Sequence, residues 1–152
     1  MEIPTLKLYA EEYEKIRVVL GSLLDRSSAT SASLISRTGQ ELAFRGDREA
    51  LDRDSISSLA AGSMAATLGL AHFLGEEEFE RVYHLGKKNS VVMSPVGKLA
   101  LLLVVMPNGQ PTKPLVENLG RTVLLLRDLL DRENVRFVQD EGEAAALNSL
   151  GL

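Results

Sequence analysis

The chain has 152 residues, with 17 Lys and Arg against 21 Asp and Glu, a formal charge of −4 and a pI near 5.3. This balance excludes the basic field that dominates nucleic-acid affinity, and the absence of cysteine excludes disulfides and thiolate metal sites. A single domain of this length buries about 68–70% of its unfolded surface without either aid.

The opening MEIPTLKLYAEEYEKI carries neither a basic n-region nor an apolar run, so no signal peptide is expected and the location expected is cytoplasmic. Between Glu11 and Arg26, Tyr13, Ile16, Leu20 and Leu23 recur at threes and fours, flanked by Val19 and Leu24; this spacing predicts an amphipathic helix. Two short alternating segments follow, Ser31 to Ser36 and Glu41 to Arg45. They are joined by Arg37-Thr38-Gly39-Gln40, where Gly39 can take the positive φ of a hairpin turn.

Ser57 to Glu76, SSLAAGSMAATLGLAHFLGE, predicts a second helix, with Asp54 as its cap and Gly75 as the left-handed residue that ends it. Strands are expected at Arg81–Gly86 and Ser90–Ser94, then a tight turn at Pro95-Val96-Gly97. Leu99 to Met106 is an unbroken apolar run, far shorter than the roughly 20 residues of a membrane span, and reads as a central strand covered on both faces. A third helix carries Val116, Leu119, Val123, Leu126 and Leu130 at helical spacing. The expected order is α-β-β-α-β-β-β-α, one domain over residues 1–133 followed by a mobile acidic tail, 134–152.

No reaction chemistry stands out. Arg81 occupies the place of the first glycine that a phosphate-binding loop ending in Gly86-Lys87 would need, and G-x-G-x-x-G does not occur. His72 and His84 lack zinc-ligand spacing. No serine sits in a nucleophile elbow. Arg45, Arg48 and Arg53 form a cluster that reads as a solvated loop rather than a finger for a transferring phosphate. Lys87 and Lys88 read as solubilising charges at a turn. No cofactor, metal or catalytic residue is expected.

The second helix is the informative element. Ile56, Leu59, Ser63, Ala66, Leu70 and Phe73 share one face, expected to pack on the sheet. Ser58, Ala61, Gly62, Ala65 and Gly69 make a second face of small residues, with Leu68 and His72 beside it, which lets another backbone approach closely. Glycine inside a helix costs about 1 kcal/mol relative to alanine, so Gly62 and Gly69 require a packing reason. Either the helix packs tightly inside its own domain or two copies pair through it; the other two helices being needed across the sheet favours a homodimer.

The hairpin ASLISRTGQELAFRGD, the second helix and the block FERVYHLGKKNSVVMSPVGKLALLLVVM, in this order, resemble the Roadblock/LC7 family from about Tyr9 to Asp131. The lead LKLYAEEYEKI, the core AAGSMAAT and the segment LGEEEF are similar to its bacterial branch that partners small Ras-like GTPases of the MglA type. PNGQPTKPLVENLG departs from the pattern, lacking the Leu-Gly-hydrophobic-Arg lead common before the last helix.

The resemblance implies an α+β, profilin-like three-layer sandwich: a five-stranded antiparallel sheet with the second helix on one face and the first and third on the other. It implies homodimers that join edge strands, here Arg81, Val82, Tyr83, His84 and Leu85, and set the two second helices side by side. It also implies binding of the GTPase in its GTP form on that two-helix face through Ser58, Ala61, Gly62, Ala65, Leu68, Gly69 and His72. Hydrolysis is then stimulated without an arginine finger, in polarity or motility control, with concentration at a cell pole as one distribution. A non-catalytic scaffold that leaves GTPase turnover unchanged is the alternative. In the tail, Ala144, Leu147 and Leu150 would form a stripe resembling a second GTPase contact of such proteins. Neither nucleic acid nor membrane insertion is expected.

Overall fold

The computed structural model describes residues 5–8, 10–47, 52–109, 111–131 and 135–138. In chain order the elements are β1 (Thr5–Leu8), α1 (Ala10–Ser27), β2 (Ser31–Ser36), β3 (Glu41–Gly46), α2 (Arg53–Phe73), β4 (Val82–His84), β5 (Asn89–Val96), β6 (Ala100–Pro107), α3 (Lys113–Asp131) and β7 (Val135–Val138). The main sheet is antiparallel in the order β3-β2-β6-β5-β4, so the continuous apolar run forms the central strand, as expected. β1 and β7 pair as a separate two-stranded ribbon that the hydrophobic pattern does not reveal.

Alternation along β6 explains the three layers. Ala100, Leu102, Val104 and Met106 face one way, into a core with Ile16, Leu20 and Leu23 of α1 and Leu115, Leu119, Leu126 and Leu130 of α3. Leu101 and Leu103 face the other way, joining Ile35 and Met93 beneath Ala60, Ala61 and Met64 of α2. Successive strand side chains point to opposite faces, so a strand apolar at every position must be covered twice. The Thr112 hydroxyl ties the two-helix layer together: it donates to the Ser27 carbonyl (2.9 Å) and accepts from the Leu115 N–H (3.3 Å) at the start of α3.

The turns follow local chemistry with three corrections. Gly39 (φ 94°) makes the β2–β3 turn, and Gly75 (φ 78°) ends α2. There the Glu76 N–H donates to the Ala71 carbonyl and the Gly75 N–H to that of His72, a double C-terminal closure. The N-cap is Asp52, not Asp54: its carboxylate accepts from the Ser55 N–H (3.2 Å) and hydroxyl (2.8 Å), which holds its pKa below the ordinary aspartate value. Pro95 and Val96 belong to β5, opposite Leu101 and Ala100, and the turn begins at Gly97 (φ 59°). β4 pairs only as far as Met93, so Pro95 lies beyond the reach of the neighbouring edge strand. Lastly, β4 is three residues long, and Arg81 and Leu85 flank the strand instead of forming part of it.

Candidate functional site

α2 places an apolar surface outside the domain, and the residues that form it are not the ones its spacing suggests. Ser57, Ala60, Ala61, Met64 and Ala71 are buried on the sheet side. Leu59 (73% exposed), Leu70 (57%) and Phe73 (88%), expected to pack on the sheet, stand in solvent. Small residues face the sheet because Ile35, Met93, Leu101 and Leu103 already supply bulk there, and packed layers accommodate only one set of large side chains at each contact.

Ala61 is therefore a correction: expected on the outer contact face, it lies under the helix against the sheet. Ser58, Gly62, Ala65, Leu68, Gly69 and His72 are exposed, as a contact surface requires. At 100° per residue the centre of the outer face is Leu59, Gly62, Ala66, Gly69 and Phe73, small residues framed by two large apolar ones. A Cβ added at Gly62 or Gly69 would meet nothing within 4 Å, so the chain itself supplies no packing reason for either glycine. The missed residues, Leu59, Leu70 and Phe73, carried one signal: from Ser55 to Gly75 the helix has no Asp, Glu, Lys or Arg on any side. A helix apolar all round is normally buried all round.

The helix is long and apolar enough to cross a membrane by composition, yet one side packs on its own sheet. The sheet also leaves an edge open. Val82 is half-buried, whereas Tyr83, His84 and Leu85 are exposed, and β4 has no strand on its outer side among the described residues. An unpaired edge offers backbone hydrogen bonds, and an apolar helix face offers apolar contact.

The arginines near the start of α2 are clamps. Arg53 grips Glu41 on β3, donating from Nε and Nη2 to its two carboxylate oxygens, and stacks 4.3 Å above the Phe44 ring, and the Glu41 carboxylate raises its pKa further. Arg45 donates to the Arg17 carbonyl (3.2 Å) and fills the space above Gly21. Neither is the solvated loop residue the sequence suggests, and Arg48 lies outside the described residues. Arg37 donates to the carbonyls of Ala100 (3.0 Å) and Gly97 (2.8 Å), locking the β2–β3 turn to the β5–β6 turn. Among the described residues no His, Asp and Glu group could hold a metal ion. Ala144, Leu147 and Leu150 lie outside the described residues. The arrangement offers an exposed apolar surface.

The Roadblock/LC7 domain family model matches residues 15–106. Nothing among the curated proteins matches. Among solved structures, the gliding protein MglB from Thermus thermophilus is 32% identical, with a TM-score of 0.76, over 84% of this chain and 96% of that one. Myxococcus xanthus MglB is 30% identical (TM-score 0.75), over 84% and 98%. An MglB with a tetrameric arrangement is 30% identical (TM-score 0.77), over 84% and 96%.

Proposed function

This chain belongs to the Roadblock/LC7 domain family, and from that premise we propose that it is an MglB-like, non-catalytic regulator of a small Ras-like GTPase of the MglA type. It works as a homodimer in the cytoplasm. The edge strands β4 of two copies pair, and the two α2 helices lie side by side along the seam of Gly62, Ala66 and Gly69. The GTP form of the GTPase docks on the resulting two-helix face. Hydrolysis is stimulated by reshaping the GTPase's own switch regions, in the control of polarity or motility.

The observation that carries this reading is the outer face of α2, apolar and unfilled, in a domain whose sheet ends in an unpaired edge. Helix axes pack 8–10 Å apart, and glycines two turns apart permit the short end of that range. The engagement of Arg53 and Arg45 within the fold supports stimulation without a donated arginine. The test is phosphate release from the GTP-loaded partner under single-turnover conditions, with and without this protein. Faster release is expected; binding with unchanged release would assign the chain to the scaffold class, and no binding would refute both.

A further inference from the structure

We propose that the cleft between α3 and the end of β4 binds an oxyanion, a carboxylate or a phosphate. It lies on the α1/α3 side of the sheet, away from α2, so it is a second site independent of the docking face above. The cavity measures about 320 Å³ and is lined by two arginines, Arg81 and Arg127.

Arg81 is the first residue before β4, where edge pairing stops opposite Met93. Its Nη2 lies 3.3 Å from the position that a Cβ on Gly120 would take. Glycine weakens a helix interior; at Gly120 its effect is to admit the Arg81 guanidinium against the backbone of α3. Arg127 stands seven residues further along α3, on the same side of the helix. Among the described residues neither arginine has a carboxylate within 4.0 Å.

Two acidic residues also line the cleft, and they do not cancel this charge. Glu78 is engaged by Arg37 at 3.3 Å, so the lining sets two arginines against Glu80; Asp131, whose Oδ1 flanks Gly97 together with the Arg127 stem, lies outside the lining. Ser94 forms part of the floor; it is 1% exposed and its Oγ has no hydrogen-bond partner among the described residues. A buried hydroxyl without a partner is an exception in folded proteins. Guanidinium groups bind carboxylate and phosphate oxygens through paired N–H donors, which suits the cleft to an oxyanion. Val123 and Leu124 provide an apolar wall for whatever carries the anion.

The test titrates the full chain, ¹⁵N-labelled and at constant ionic strength, with inorganic phosphate and separately with an N-acetylated, C-amidated acidic dipeptide. The readouts are the Ser94 and Gly120 amides and the arginine Nε–H signals. Saturable shifts with at least one probe are expected, weakened tenfold or more in Arg81→Gln/Arg127→Gln and unchanged in Lys87→Gln/Lys88→Gln. Gly120→Ala, which crowds Arg81 while favouring the helix, should weaken binding too. Response to phosphate alone identifies a small phosphorylated ligand, and response to the dipeptide alone identifies an acidic side chain of a partner protein. No saturable shift with either probe, or equal affinity in the arginine and lysine variants, overturns the proposal.

Discussion

The two faces of the central sheet are covered unequally. On one side α1 and α3 contribute Ile16, Leu20, Leu23, Leu115, Leu119, Leu126 and Leu130 to a core of 17 buried residues among those described, with Tyr13, Val19, Leu24, Val123 and Leu129 packed around it. On the other, α2 contributes only Ala60, Ala61 and Met64 to a core of seven. Burial of apolar area is the main favourable term in folding, at roughly 25 cal/mol per Å². The first layer carries the larger core and leaves Val18, Leu124 and Leu125 exposed on its outer side, while the second leaves Leu59, Leu70 and Phe73 outside. One layer therefore carries most of the core, and the other exposes the apolar helix face on which the proposed contact rests.

The severest way to break the comparison is Ala61→Arg. It forces a long cation between α2 and the sheet, where an uncompensated charge costs on the order of 4 kcal/mol. Chemical denaturation should show the loss, and an unaltered midpoint would place Ala61 on the outer surface after all. Leu119→Ala probes the opposite layer and should cost about 3 kcal/mol, the cavity range for a fully buried leucine, read as a lower urea midpoint with the proposed dimer retained.

Leu59→Asp, on the exposed side of α2, should leave the protomer's circular dichroism unchanged while light scattering reports monomer mass. A dimer of undiminished affinity in this variant would remove the outer face from the proposed interface. The smallest effect is at the helix cap. The folded-state pKa of Asp52 is depressed by its bonds from Ser55, so its contribution is present above the ordinary aspartate pKa and fades as the pH falls through the depressed value. Asp52→Asn should therefore flatten the acid limb of the stability–pH curve and change little near neutrality.

Much of this molecule was decided by its sequence alone. Helical spacing located α1 and α3, the continuous apolar run located the central strand, and Gly39 and Gly75 marked a turn and a helix end because the backbone there needs positive φ. The cost of an interior glycine marks Gly62 and Gly69 as candidate contact positions, and the structure leaves both exposed with nothing of this chain near them. Tertiary structure alone decided the rest. Periodicity tells which residues of α2 share a face, but with no Asp, Glu, Lys or Arg on any side it cannot tell which face turns inward; that depended on the bulk of Ile35, Met93, Leu101 and Leu103 across the sheet. The cap fell on Asp52 instead of Asp54, two candidates with equal chemistry, and Pro95 entered a strand because β4 stops before reaching it. The ribbon of Thr5–Leu8 with Val135–Val138 joins segments from opposite ends of the described chain, and no local pattern encodes a pairing whose partners meet only once the domain between them has folded.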